Sequence, residues 1–229
     1  ETLWRCMNRY NQIEEKADLG FAPDSSFPLT YAEKGLLQVK LHGPGWEDRP
    51  LQAGRALNVV PDKATYKGER LEELLPVVEQ SGVNYTEEAG AVTVLGLSKH
   101  SKDAAEGVNA IVGLAESLSL IQPHPALLFI ADAVGEDATG ATLFGEIKDE
   151  PSGALSFNIA TLSIDEERSE IGIDIRIPVL ADKDALVERL TEVAASYQLQ
   201  YEEFDYVAPL YVPLDSPLVS TLMAVYQEE

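Results

Sequence analysis

The sequence predicts an α+β fold in which antiparallel sheets carry helices packed on one face, and three observations carry that prediction. Runs of alternating apolarity are interleaved with runs of helical spacing. Two alternating runs, 155–164 and 170–177, flank the charged turn Asp165-Glu-Glu-Arg-Ser169 and read as an antiparallel hairpin. Of the 229 residues, 45% are hydrophobic and 24% charged, enough to build a sizeable core.

The elements follow in order. Leu3, Cys6, Met7 and Tyr10 recur at helical spacing, so residues 2–15 are expected to form an amphipathic helix with Cys6 buried on its apolar stripe and Trp4 in the core. The segment Asp18-Leu-Gly-Phe-Ala-Pro-Asp24-Ser-Ser-Phe-Pro28 is a turn-rich loop, because its glycine and prolines oppose helix. Strands are expected at 29–32, 36–41 and 56–60, the last closed by Pro61-Asp62. Residues 69–80 read as a helix whose acidic start suits the helix dipole. A strand over 92–97 leads into the polar loop Ser98-Lys-His-Ser-Lys-Asp103, then a helix over 104–119 with Val108, Ile111, Val112, Ala115 and Leu118 toward a core. Pro123 and Pro125 open another helix. In the second hairpin strand Ile171, Ile173, Ile175 and Ile177 share one face, and Asp174 and Arg176 the other. Asp182 caps a helix carrying Leu186, Leu190, Val193 and Tyr197, and a last strand covers 199–206.

Charge excludes some functions. Thirty-nine acidic against 17 basic residues give a net charge of −22, which opposes binding to nucleic acid or to an anionic membrane. No apolar run reaches the roughly 18 residues of a membrane helix, and the first residues given carry no basic region, apolar region and cleavage site of the kind a signal peptide has. The single cysteine fits a reducing, cytoplasmic compartment. The chain opens on Glu1 rather than Met and ends inside the helical spacing of Val219, Leu222, Met223 and Tyr226, so a piece of something longer is expected. No Walker loop, GxGxxG, GxSxG, CxxC or HExxH is present, and His42, His100 and His124 are scattered. The acidic pairs Glu72-Glu73, Glu166-Glu167 and Glu202-Glu203 are read as solvated faces.

Six blocks, in order, carry a resemblance. They are Glu1-Thr-Leu-Trp-Arg-Cys6 with the 18–28 loop and Glu33-Lys-Gly35; Asn58-Val-Val-Pro-Asp-Lys-Ala64; Gly96-Leu-Ser-Lys-His-Ser101; Gly107-Val-Asn-Ala110; Ile175-Arg-Ile-Pro178; and Pro213-Leu-Asp-Ser-Pro-Leu-Val219. Together they resemble the co-catalytic zinc dipeptidases of the aminoacylase and carnosinase superfamily, and most closely the bacterial PepV-type (Xaa-His) enzymes. The resemblance implies that residues 1–35 are a margin of a zinc domain, 36–206 an inserted lid domain, and 207–229 the return into the zinc domain. The family's His-x-Asp motif, general base and downstream His ligand have no counterpart in these residues. The chain by itself is therefore expected to be inactive and to bind no metal, whereas the parent holds two zinc ions.

The resemblance also assigns roles. On its own residues, Asp24 in a Pro-Asp-Ser-Ser turn is a turn or capping aspartate; the resemblance makes it a carboxylate ligand of one zinc, and Glu1 a ligand of the other. His100 in a polar loop reads as solvated, yet it resembles the lid histidine that stabilises the oxyanion, with Lys99 and Lys102 keeping the potential positive. The surrounding Lys-His-Ser departs from the family's usual His-Ala-Ser or His-Gly-Ser. Arg176, otherwise a surface charge, resembles the residue that grips the substrate's C-terminal carboxylate. Asn58, otherwise a turn residue, resembles one that orients the substrate. These similarities imply dipeptide hydrolysis by a monomer. Two other readings compete: another amide hydrolase such as an aminoacylase or desuccinylase, and a non-catalytic binding module with a decayed zinc site.

Overall fold

The computed structural model describes residues 5–23, 27–47 and 50–228. In chain order its elements are α1 (Arg5–Ile13), β1 (Ala32–Glu33), β2 (Gly35–Pro44), β3 (Leu51–Ala53), β4 (Lys63–Tyr66), α2 (Leu71–Ser81), β5 (Asn84–Glu88) and β6 (Ala91–Leu95). A 3-10 helix (Ser101–Glu106) leads into α3 (Ala110–Ile121), α4 (Pro125–Leu128), a π-helical turn (Phe129–Val134) and α5 (Ala141–Phe144). Then follow β7 (Lys148–Asp149), β8 (Gly153–Ala154), β9 (Ser156–Ile164), β10 (Arg168–Ile177), α6 (Lys183–Ser196), β11 (Gln200–Val207), β12 (Leu210–Tyr211) and α7 (Pro217–Glu228). The chain divides into two units, 1–31 with 211–229, and 32–210. The resemblance put the corresponding edges at 35/36 and 206/207.

The larger unit is α+β, as expected. Its main sheet is five-stranded and antiparallel, in the order β11-β2-β10-β9-β3. Alternation decides its faces. Leu37, Val39 and Leu41 of β2 lie opposite Ile175, Ile173 and Ile171 of β10, and all six are buried on one face. Each such side chain contributes roughly 1.5–3 kcal/mol on burial. Against this sheet pack α4, touching β2 and β10, and α6, touching β11. The intervening positions of β2, β10 and β9 form a second face that carries Gln38, Asp174 and Asn158 in register.

A smaller antiparallel sheet, β4-β6-β5, packs through α3. Its β5–β6 hairpin closes on Ala89 and Gly90, both at positive φ (50° and 71°). A two-residue loop with both residues left-handed matches the twist of the paired strands. Asn109 starts α3 by accepting from the backbone N–H groups of Ile111 (3.0 Å) and Val112 (3.3 Å). Asp182 caps α6 in the same way, as read from sequence. In the smaller unit Phe27 stacks on Tyr226 at 6.1 Å, and Val212 N–H donates to the Tyr31 carbonyl. No helix among the described residues is long and apolar enough to cross a membrane.

Several local expectations are corrected. Residues 56–60 are not a strand: they form a turn with one bridge, Val59 to His100, and the strands lie on either side as β3 and β4. Asn58, Val59 and Val60 bond across to the 99–101 loop rather than along a sheet edge, which outweighs the strand propensity of the two valines. Residues 29–31 carry no strand; only Ala32–Glu33 does. The helix expected over 104–119 begins at Ala110, because Asn109 interrupts it, and the polar loop instead winds into the 3-10 helix. Cys6 is exposed rather than a core thiol. Trp4 lies outside the described residues.

Candidate functional site

Three of the five residues singled out by resemblance lie in the larger unit: Asn58, His100 and Arg176. Asp24 and Glu1 lie outside the described residues. The first two are joined by backbone. Ser101 N–H donates to the Asn58 carbonyl (3.0 Å), Val60 N–H to the Lys99 carbonyl (2.8 Å), and Val59 bridges His100. The side chains of Asn58 and His100 are both exposed.

His100 stands at the N-cap of the 3-10 helix, where its Nδ1 accepts from the backbone N–H of Lys102 (3.2 Å). An imidazole nitrogen that accepts cannot also carry the proton. The neutral ring is therefore protonated at Nε2, which makes Nε2–H a hydrogen-bond donor. Of the two neighbouring lysines, read from sequence as keeping the potential positive for an oxyanion, Lys99 is paired with Glu106 (3.1 Å).

Arg176 reaches the same region through β9. Its cross-strand partner is Ser156, whose hydroxyl donates to the carbonyl of Ser101, the residue after His100. Two residues along β9, Asn158 is opposite Asp174 and 1% exposed. Its Nδ2 donates to the Val59 carbonyl (3.0 Å) and to Ser101 Oγ (2.9 Å), and Ser101 Oγ donates to the Leu57 carbonyl (3.1 Å). Asn109 Nδ2 donates to Asn158 Oδ1 (3.2 Å) and to the Ile159 carbonyl (2.7 Å). A buried amide thus holds the 57–59 turn and the 100–101 turn against the sheet beside Arg176. Gly172 permits the approach, since a Cβ there would come within 2.7 Å of Leu57 Cδ2 and 2.3 Å of Thr161 Oγ1.

Sequence reading set Asp174 beside Arg176 on a polar, solvated face. The structure buries Asp174 completely (0% exposed), and the Arg176 side chain is 19% exposed. Arg176 Nε donates to Asp174 Oδ1 (2.8 Å) and Nη2 to Oδ2 (3.2 Å), while Gln38 Nε2 donates to Oδ2 (2.8 Å). Further along this face Lys40 pairs with Glu170 (3.1 Å), and His42 Nε2 is hydrogen-bonded with Glu202 Oε2 (2.7 Å). At the other end, the Lys34 ammonium donates to the Ala154 carbonyl. Burial lowers its pKa, against the opposing pull of Asp149 and Asp103.

Ser156, Asn158 and Gln38 were missed by sequence reading, and Ser101 and Asn109, though inside the quoted blocks, were given no role. Ser156 and Asn158 had a signal: polar residues at alternate positions of an otherwise apolar strand need partners when buried. A cavity of about 300 Å3, lined by Val60, Asn84, Val94, Asn109 and Val112 among others, includes none of Asn58, His100 and Arg176. Among the described residues, no group of three or more His, Cys, Asp or Glu can hold a metal ion.

No protein-family model matches the chain. It is 33% identical over 250 aligned residues to a Bacillus subtilis (strain 168) protein named "Putative dipeptidase YtjP", covering 99% of this chain and 53% of that one. A Staphylococcus aureus (strain MW2) protein with a name of the same form, MW1694, is 28% identical, with 100% and 54% covered. The chain spans about half the length of the curated relatives it matches. The solved aminoacylhistidine dipeptidase of Vibrio alginolyticus overlaps 83% of this chain and 47% of that chain at 14% identity with a TM-score of 0.40. A likeness that weak bears on neither fold nor function.

Proposed function

We propose that the full gene product is a dipeptidase of the aminoacylase and carnosinase type, hydrolysing dipeptides with a free C-terminal carboxylate. Residues 32–210 serve it as the lid. The observation that carries this reading is that the turns bearing Asn58 and His100 are bonded to each other and, through Ser101, to Ser156 and Asn158 of β9, the strand paired with the one that carries Arg176. The names and identity of the relatives support it across nearly the whole chain.

Each residue then has a distinct task. The Nε2–H of His100 donates to the carbonyl oxygen as it gains negative charge, a contact stronger in the transition state than in the ground state. Arg176 pairs with the substrate carboxylate, and a planar guanidinium discriminates that group from a neutral amide better than an ammonium does. Asn58 offers an exposed amide beside His100 to orient the peptide. Two zinc ions are part of the proposal, with Asp24 and Glu1 among their ligands. The described residues provide no metal site of their own, and none of the tasks above runs through a metal. Metal analysis of the full gene product, expected near two zinc ions per chain, tests this point, and a metal-free but active protein would exclude it.

Because the relatives are about twice as long, activity is assigned to the full gene product, taken to be a cytoplasmic monomer. The isolated 229 residues are expected to release no product from β-Ala-His or Gly-Leu. The deciding assay compares Gly-Leu with N-acetylated and N-succinylated amino acids. Faster turnover of the acylated substrates would move the assignment to an aminoacylase or desuccinylase.

A further inference from the structure

We propose that Asp174, held by Gln38, is a positioning residue that selects which edge of the Arg176 guanidinium meets the substrate. This rests on the carboxylate role proposed above for Arg176. A guanidinium has two edges able to take a carboxylate in a fork: the side edge, Nε with one Nη, and the end edge, Nη1 with Nη2. Asp174 occupies the side edge with both its oxygens, at 2.8 and 3.2 Å. Among the described residues the Nη1 group of Arg176 has no partner, so the end edge is the one left to a ligand.

Burial makes this orientation firm. The Asp174 carboxylate is wholly excluded from solvent, and an ion there is tolerated only when its lone pairs are engaged. Two of its contacts come from Arg176 and one from Gln38. Gln38 lies directly opposite Asp174 on β2, so sheet register rather than side-chain chance sets the tether. Asp174 and Arg176 are two apart on β10, which puts both on the same face. The backbone of a central strand therefore aims the arginine, and the substrate meets a donor pair already oriented. Preorganisation of this kind acts mainly on binding.

The test uses the full gene product as purified, with steady-state kinetics on Gly-Leu and on its C-terminal amide. Asp174→Asn keeps the size of the side chain but replaces one oxygen by a donor that opposes the guanidinium. Asp174→Asn is expected to raise KM for Gly-Leu about ten-fold or more, with little change in kcat. The amide, which has no carboxylate to bind, is expected to keep its kcat/KM. Gln38→Leu is expected to shift KM for Gly-Leu in the same direction by a smaller factor. An unchanged KM in a folded Asp174→Asn protein, alongside a raised KM in Arg176→Ala, overturns the role of Asp174 and leaves that of Arg176 intact. An unchanged KM in Arg176→Ala overturns both. Where Asp174→Asn does not fold, Gln38→Leu decides: an unchanged KM overturns the proposal, and a raised KM with an unaltered amide supports it.

Discussion

The imidazole of His100 is exposed, yet one backbone donor, Lys102 N–H, fixes which nitrogen carries its proton. That single bond turns a histidine in a polar loop into an oriented donor. Replacing it, His100→Ala, is expected to lower kcat of the full gene product on Gly-Leu about 10²-fold or more with KM little changed, as for loss of one oxyanion donor. A loss confined to KM would reassign His100 to ground-state binding. Asn158 acts by a different route, since it contacts no substrate in the proposed arrangement. Asn158→Ala leaves the Val59 carbonyl, Ser101 Oγ and Asn109 Nδ2 short of a partner. It is expected to destabilise the protein by about 1–3 kcal/mol, read by urea unfolding. Of these two residues only His100 was legible beforehand. Its six-block context marked it, whereas Asn158 belongs to no quoted block and acquires its meaning from partners about 50 to 100 positions away.

At the scale of elements, α4 shows how a short helix depends on one side chain. His124 caps it: Nδ1 accepts from Ala126 N–H (3.2 Å), Nε2 meets the Pro44 carbonyl (3.2 Å), and the ring stacks on Trp46 at 5.4 Å. His124 is 5% exposed. Burial lowers its pKa, outweighing the opposing bonds to Gly45 and Pro44. The sign follows directly. The unfolded chain takes up the proton near pH 6.5 and the folded protein only below that. The contribution of neutral His124 is therefore present above about pH 6.5 and declines as pH falls through and below that value. Thermal unfolding is expected at lower temperature at pH 5.5 than at pH 7.5, about the interval over which histidine titrates. His124→Asn, which keeps a capping acceptor, should reduce that difference. An undiminished difference would place its source in other groups. The same scale explains which elements were legible. Strands with long alternation, such as β10, and helices with a capping residue, such as α6, were read close to their bounds. The 56–60 segment was not, because its bonds go to the His100 loop, and no local pattern encodes that partner.

For the molecule as a whole, a net charge of −22 over 229 residues implies repulsion that folding concentrates. Raising ionic strength from about 0.01 M to about 0.15 M shortens the screening length from about 30 to 8 Å. The melting temperature is expected to rise over that range. A flat or falling melting temperature would mean that local ion pairs, such as Lys40 with Glu170, dominate over the summed repulsion. The sequence by itself determined the α+β class, the central hairpin and the helix capped by Asp182, and its resemblance to a family singled out His100, Arg176 and Asn58 as residues to examine. Periodicity, caps and ordered motifs are local and survive in one dimension. Only the tertiary structure decided that the polar side of β10 is buried, that Asp174 grips Arg176, and that Asn158 gathers two distant turns beside it. Those outcomes depend on strand register and on what covers the sheet, and both are set by residues far apart in the chain.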